Sequence, residues 1–390
     1  MQGLAGVSRH NLLCSRRGAH SHASPTLLSL PRKRLANVTA AAVALTVGIY
    51  YLAWPSPSRH APTSAALPLA LSRFTPVMIE SSEGTSPSTK IITLRVPPNL
   101  LPSPNDHLLR PIHSIYVKDS DMQIERPYTP LFGIESDGHI RLWVKRYEYG
   151  EVGRWLHAKK PGDVIEIRGP ALTWDFEREL KEGKWDDIIM ISGGTGITPF
   201  FQFIHNYFKE GSPSPDSSPL RITLLHSSPT PAHLPPPIML SALQSLASTT
   251  PSASFFLKLF VDKLDDTHPR VPSAFEKQEP PPAVRRISKE DIYEVLVERG
   301  IIESSPLTPS PPSSSWWRFF PRSRSKSGSS SHAPASHPQL RKRRVLFLVC
   351  GPEPMLHAIA GPRAQNLTTG PVRGILGDMG FTSLDVRQFS

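Results

Sequence analysis

Three short strings, each ending or interrupting an apolar run, constrain this chain more than any other feature. They are Arg126-Pro127-Tyr128-Thr129-Pro130, Gly193-Gly194-Thr195-Gly196-Ile197-Thr198-Pro199 and Cys350-Gly351-Pro352-Glu353-Pro354-Met355. If the apolar runs are strands, each string sits where a strand gives out and side chains face a cleft. The pattern around the strings changes once. From Phe74 to about Leu172 the runs are short: Phe74 to Glu80, Lys90 to Val96, Ser114 to Val117, Ile140 to Tyr147 and Val164 to Ile167. Gly, Pro, Asp and Ser separate them, which predicts a small antiparallel β-barrel. Past Trp185 come an apolar strand (Asp187 to Ser192), a glycine turn, a helix (Pro199 to Phe208) and strands at Arg221 to His226, Phe255 to Val261 and Val345 to Val349. Alternation of this kind predicts an α/β domain on a parallel sheet. The expected division is a barrel over 74–172 and an α/β domain over 173–390.

Two stretches do not fit a compact core. Gly211 to Pro219 and, at greater length, Ile302 to Gln339 are dense in Ser and Pro, and the second runs into the basic Arg341 to Arg344. They read as surface insertions, the longer spanning about 302–344. Trp316, Trp317, Phe319 and Phe320 lie inside it beside Arg318 and Arg322. Such a cluster touches lipid or a partner on one reading and is a locally collapsed loop on the other.

The first 79 residues carry eight Lys or Arg and no Asp or Glu. Residues 1–34, with Arg9, Arg16, Arg17, Arg32, Lys33 and Arg34 among Ser, His and Leu, have the composition of a mitochondrial presequence. A disordered basic tail is the alternative. Leu35 to Trp54 contains 20 residues and no charge, enough at helical rise to match a ~30 Å hydrocarbon layer, with Tyr50, Tyr51 and Trp54 as an interfacial belt. The expectation is a single transmembrane helix over 35–54, followed by a Pro-rich linker over 55–73. The basic cluster before the span keeps that end on the matrix side of an inner membrane, which places the body in the intermembrane space.

The N-terminal 79 residues hold +8 of the chain's +11 charge, leaving +3 on the remaining 311, so nothing points to nucleic acid. Cys14 falls in the presumed presequence and Cys350 stands alone in the rest, which excludes a disulfide within the mature body and a CxxC relay. The 15 His show no metal-ligand spacing, and no metal is expected.

Gly193 to Pro199 follows the apolar run Ile188 to Ser192 and precedes a Pro-initiated helix. Gly194 and Gly196 let the backbone approach a pyrophosphate, Thr195 and Thr198 offer hydroxyls, and the helix opening at Pro199 offers its N-terminus. The strings in this order resemble the ferredoxin reductase-like flavoproteins, NADH-cytochrome b5 reductases most closely. The resemblance covers about residues 74 to 390 apart from the insertions. It implies FAD on the barrel and NADH, with NADPH also possible, on the α/β domain. It implies that Arg126 pairs with the flavin pyrophosphate, that Pro127 and Tyr128 pack along the flavin, and that Thr129 lies near its hydride-accepting edge. Val144 and Lys145 would line the flavin, and the turn of Gly150, Val152, Gly153 and Arg154 would open a short helix toward the pyrophosphate. Cys350, with Gly351, would place nicotinamide against the flavin, and Pro352 and Met355 would shape that pocket. Thr129 and Cys350 are the candidates for the reacting centre.

Three positions depart from the family pattern. Gly153 stands where a hydroxyl is expected, which removes one side-chain hydrogen bond worth about 1 kcal/mol. Ala171-Leu172-Thr173-Trp174 replaces a glycine-bearing segment. His226-Ser227-Ser228 replaces a more polar segment on the adenine side. Asp262 matches the acidic position that contacts the adenosine ribose in the family, and a carboxylate there favours NADH. The implied function is an FAD-dependent NAD(P)H oxidoreductase of a mitochondrial inner membrane that passes electrons to haem or a haem protein. With its presequence and single span, the chain most resembles fungal members implicated in haem attachment to apocytochrome c, where a separate haem lyase acts. The alternatives are an ordinary NADH-cytochrome b5 reductase and a non-catalytic flavin-fold scaffold that recruits the lyase.

Overall fold

The computed structural model describes residues 40–49, 61–102, 112–119, 123–176, 185–209, 220–250, 254–264, 281–302, 343–364 and 370–389. The chain divides into two compact units, Met1–Ser56 and Pro57–Ser390. In the first, residues 40–49 form helix α1, whose Thr46 hydroxyl donates back to the carbonyls of Ala42 and Val43 at 2.9 Å. Val43, Leu45, Val47 and Ile49 are exposed. At 1.5 Å rise such a helix reaches about 15 Å, half of a hydrocarbon layer. Among the described residues no helix is long and apolar enough to cross a membrane. The ends of the expected span (35–39 and 50–54), the presequence 1–34, residues 55–60 of the linker and residues 303–342 of the long insertion lie outside the described residues.

The second unit holds two six-stranded sheets. The first contains β1 (Thr75–Ser86), β2 (Thr89–Arg95), β3 (Ile112–Lys118), β4 (Glu125–Tyr128), β5 (His139–Lys145) and β6 (Val164–Trp174). All its pairings are antiparallel, in the order β4-β3-β6-β1-β2-β5. Alternate residues of each long strand turn inward. Val77, Ile79, Ile92, Leu94, Ile115, Val117, Ile140, Leu142, Ile165 and Ile167 form one buried cluster, so the sheet curls around a single core. Helix α2 (Glu151–Ala158) adds Val152 and Leu156 to it. The sheet's edges are β4 and β5, which carry the first string and the Val144-Lys145 pair.

The second sheet is parallel, in the order β10-β9-β8-β7-β11-β12. Its strands are β7 (Asp187–Gly193), β8 (Arg221–Ser228), β9 (Phe255–Val261), β10 (Ala283–Val284), β11 (Val345–Cys350) and β12 (Val386–Phe389). Both β7 and β11 are buried at every position, as a sheet covered on both faces requires. One face carries α3 (Thr198–Lys209) and α4 (Pro237–Thr249); the other carries α5 (Lys289–Glu298), α6 (Glu353–Ala360) and α7 (Gly374–Asp378). Chain order reverses between β7 and β11, and the second and third strings begin at the carboxyl ends of those two strands. A ligand crevice opens at such a point.

Strand β6 runs on through Ala171, Leu172, Thr173 and Trp174, where a glycine-bearing segment was expected. Its pairing with β3 continues to Ile112 opposite Trp174. Trp174 then packs on Phe176, Phe203 and Phe389 with ring centroids 4.9 to 6.1 Å apart, so aromatic contact fills the passage between the sheets. Gln202 of α3 is fully buried there. Its Oε1 accepts from His113 N at 2.8 Å, and its Nε2 donates to Pro130 O at 2.7 Å and to His113 O at 3.2 Å. One side chain of the α/β part thus satisfies three backbone groups of the barrel part. Below the crevice, the buried His226 ring spans Ser192 Oγ (2.9 Å from Nδ1) and Ser228 Oγ (3.1 Å from Nε2).

Gln202→Leu removes three hydrogen bonds to barrel backbone groups, and a loss of about 3 kcal/mol in urea unfolding is expected. A loss under about 0.5 kcal/mol would mean water replaces the amide. Burial pushes the His226 imidazole down from 6.5 to about 3. Between those values the unfolded chain binds a proton that the folded chain does not. Stability is therefore complete above 6.5 and falls as pH drops toward 3, by up to about 1.4 kcal/mol per pH unit. Unfolding midpoints of His226→Gln across pH 6 to 4 are expected to lack that part of the acid slope; an unchanged slope would assign it to other groups.

Candidate functional site

The second and third strings interlock. Ser192 and Cys350 are register partners in β7 and β11, so the chain leaves both strands at the same level. A Cβ on Gly193 would lie 2.5 Å from Met355 Sδ, and one on Gly196 would lie 2.5 Å from the Cys350 carbonyl. These two glycines are demanded by close packing of one string on the other. Gly194 differs: its φ of +55° calls for glycine, and the only atom near a built Cβ is Lys145 Nζ at 3.8 Å. The turn from Gly194 to Ile197 has no side-chain cap, and α3 starts at Thr198. Its opening therefore faces an ammonium brought from the barrel edge. Burial lowers the Lys145 pKa, and no carboxylate contributes to the shift.

The first string joins the other two through Pro130, the carbonyl held by Gln202, and through Phe132, which meets Phe201 of α3 edge-on at 5.4 Å. Glu125, directly before Arg126, is engaged by Arg168 through two hydrogen bonds of 2.6 and 2.8 Å. Arg126 is left exposed, with one bond of 3.0 Å to the Glu125 carbonyl. Most of its guanidinium donors are unused among the described residues. Tyr128 packs against the barrel core. Burial, opposed by Arg126, pushes its phenol up to about 12, which keeps it a neutral donor. Thr129 Oγ1 lies 3.5 Å from Ser114 Oγ, itself 2.9 Å from Thr173 Oγ1. Pro127 is exposed on the β4 edge.

Helix α2 starts at Gly150 with no side-chain cap, so its first N–H groups point out unsatisfied by side chains. A Cβ on Gly153 would lie 2.8 Å from the Lys145 carbonyl. The missing hydroxyl thus has a local cause: α2 presses on the end of β5 too closely for any side chain. Val144 is fully buried inside the barrel, where its carbonyl accepts from His157 at 3.1 Å. Val152 is buried in the same core, and Arg154 is exposed and turned into a 320 Å³ cleft with Lys90, Arg146 and His157, away from the three strings. Of the barrel candidates, Arg126 is exposed, Tyr128, Thr129 and Lys145 are half-buried, and Val144 and Val152 belong to the core.

Cys350 is buried in the core between the sheets, and burial pushes its thiol up to about 12. Burial thus favours the thiol form, and the side chain packs in that core. Gly351, Pro352 and Met355 crowd Gly193 from the other side of the crevice, and Pro352 caps α6. Thr195 is half-buried, and Thr198 and Pro199 are buried at the start of α3. Asp262 stands at the carboxyl end of β9, its Oδ1 accepting from Ser227 Oγ at 3.1 Å and its Oδ2 from Arg286 Nε at 3.2 Å. Sequence reasoning missed Gln202, Arg168 and Arg286. Glutamine three residues after Pro199 carries no motif, and the two arginines are set by strand register rather than by proximity in the chain.

Residues 76–176 match the oxidoreductase FAD-binding domain family. The chain is 27% identical over 274 residues to NADH-cytochrome b5 reductase 2 of Scheffersomyces stipitis, covering 70% of each protein. It is 26% identical over 271 residues to NADH-cytochrome b5 reductase 2 of Mycosarcoma maydis, covering 70% of this chain and 59% of that one. Against an uncharacterised FAD-binding protein of Schizosaccharomyces pombe it is 40% identical over 102 residues, 26% of this chain and 36% of that protein. In fold it resembles the cytochrome b5 reductase domain of Ulva prolifera nitrate reductase, with a TM-score of 0.50 at 18% identity over 83% of this chain and 100% of that one. With its antiparallel FAD-binding part, its parallel α/β sheet and these relatives, the chain is an FAD-dependent oxidoreductase similar to the NADH-cytochrome b5 reductases.

Proposed function

We propose that the chain oxidises NADH, or NADPH, through bound FAD and delivers electrons to haem or a haem protein. The observation that carries this reading is a cation of the barrel edge, Lys145, facing the uncapped glycine turn at the crevice between β7 and β11, with the exposed Arg126 on the first string. Arg126 is freed because Arg168 takes Glu125, and Lys145 faces the Gly194 turn without an acid partner. Those residues fit an anionic dinucleotide. Arg126 and the uncapped start of α2 would hold the flavin pyrophosphate, Tyr128 would pack along it, and Thr129 would donate at its reactive edge. The turn from Gly194 to Thr198 would receive the pyrophosphate of the nicotinamide nucleotide, with Cys350 and Met355 walling the crevice. When bound, FAD supplies acceptance of a hydride and release of single electrons, so no protein group has to act as a general base. The neutral Cys350 thiol and the neutral Tyr128 phenol agree with that division of labour.

The acceptor and the location extend the proposal. The acid-free N-terminus and the uncharged stretch Leu35 to Trp54 support an inner-membrane anchor with the body in the intermembrane space, as in the fungal mitochondrial cytochrome c import factor. There the chain would keep haem iron reduced while a haem lyase joins it to apocytochrome c. A cytochrome b5 acceptor fits about as well, since the relatives are named for that reaction. Stopped-flow mixing of the NADH-reduced full chain with cytochrome b5 and with free haem separates the two by rate.

Arg126→Ala is expected to weaken FAD binding about 10- to 100-fold, the effect of losing hydrogen bonds to a charged group. The protein would purify with little absorbance near 450 nm and would reduce ferricyanide slowly with NADH. Undiminished flavin content would remove Arg126 from the site. A wild-type chain that binds no FAD and reduces no ferricyanide would leave the scaffold reading in place of the enzyme.

A further inference from the structure

The end of β5 has two sides, and only one of them faces the crevice. Lys145, its last residue, is turned toward the glycine turn. Arg146 follows and lines the 320 Å³ cleft instead, as alternation along an extended chain requires. Its backbone N–H still pairs across the strand end, donating to the Ser88 carbonyl at 2.8 Å. The cleft's other walls are the turn between β1 and β2, through Gly84 and Ser86, and helix α2, through Arg154 and His157. Its volume lies at the lower end of the range that holds small-molecule ligands.

The charges lining this cleft have one sign. Lys90, Arg146 and Arg154 reach it, and among the described residues no carboxylate does. Lys90 is held in place, its Nζ donating to the His157 carbonyl at 2.9 Å. Both arginines are exposed, and among the described residues neither guanidinium has a hydrogen bond or an acid partner. Burial lowers the His157 pKa, and Lys90 and Arg146 lower it further against the opposing bond to the Val144 carbonyl. The ring is therefore neutral near pH 7, and three fixed cations remain around one opening. Like charges gathered in this way repel, and a ligand with two or more negative charges offsets that repulsion. A phosphomonoester carries about −1.5 to −2 at neutral pH, and an arginine fork pairs with two of its oxygens at once.

We propose that this cleft is an anion site for a phosphate-bearing ligand, separate from the flavin and nicotinamide positions. None of the three strings lines it. Lys90 and Arg146 come from the barrel sheet and Arg154 from α2, so an occupied cleft ties the turn between β1 and β2 to that helix. The ligand therefore raises the thermal midpoint of the chain as well as filling the cleft.

Calorimetric titration of the full chain with inorganic pyrophosphate, before and after FAD is added, tests this. Saturable binding is expected, unchanged by FAD and unchanged in Lys145→Met. Arg146→Ser and Arg154→Ser are each expected to weaken it about tenfold or more, as the loss of charged hydrogen bonds implies. Arg146→Lys should recover part of the affinity, and Arg146→Ser should keep the flavin absorbance of the wild type. Vesicles of phosphatidylcholine with and without phosphatidic acid then identify the source. Displacement of pyrophosphate by the phosphatidic acid vesicles alone assigns the cleft to a lipid headgroup, and no displacement by either assigns it to a soluble phosphate. A change of less than about threefold in both Arg146→Ser and Arg154→Ser overturns the proposal, as does wild-type chain that binds no pyrophosphate. Loss of binding in Lys145→Met, or displacement by FAD, also overturns it, because the anion would then occupy the crevice or the flavin position.

Discussion

The buried amide of Gln202 is the contact on which the rest of the site depends. It lies one turn into the helix that follows the glycine turn, and it closes on backbone groups of His113 and Pro130 in the barrel part. Pro130 ends the string that carries Arg126 and Tyr128, so one side chain fixes where the glycine turn stands relative to the first string. Hydrogen bonds of this kind are directional where apolar packing is not. The surrounding rings of Phe132, Trp174, Phe176, Phe203 and Phe389 exclude water and supply adhesion, and Gln202 supplies register.

A second constraint acts at the crevice itself. Gly193 and Gly196 are spent on packing against Met355 and Cys350, and Gly194 alone is shaped for a close approach by something else. A glycine-rich turn read only as a phosphate cradle would assign all three to the ligand. The geometry divides them, two for holding the third string in place and one for the opening beside Lys145. The turn and the third string are therefore coupled at this point, because moving that string would also move the floor of the turn.

Much of this was legible in the chain. β7 and β11 stand out because strands buried at every position are largely apolar, β8 and β9 by the apolar runs within them, and the inward alternation of β5 survives as Ile140, Leu142 and Val144. The short strands β4, β10 and β12 were not legible, since two to four residues hold no periodicity. The helices α4 to α7 were missed for a related reason: their buried stripes are narrow, and α4 is opened by prolines rather than by a capping residue. Charge pairing was equally hidden. Arg343 and Arg344 end what reads as a basic run of an insertion, yet Arg343 bonds the buried Asp187 at 3.1 Å and the backbone of Arg344 bonds Asp186 at 2.8 Å. The run's last two residues are anchors of β7 and β11. Of the candidate site, the strings were readable and their partners were not, because Gln202, Arg168 and Arg286 become neighbours only after strands are paired.

The electrostatics of the two parts follow one logic. Where a charge is structural, it is paired and shielded: Glu125 with Arg168, Asp187 with Arg221 and Arg343, Asp291 with Arg285. Among the described residues Arg126, in the first string, and Lys145, beside the second, show no acid partner. Arg126 is exposed and its charge stays solvated, whereas Lys145 is half-buried and its charge lowers stability unless a ligand completes it. The groups that could exchange protons at the crevice are meanwhile silenced by burial, the Cys350 thiol and the Tyr128 phenol near 12 and the His226 imidazole near 3. In the proposed site the two cations would orient charged cofactors, and the buried thiol and phenol would wall the crevice as neutral groups.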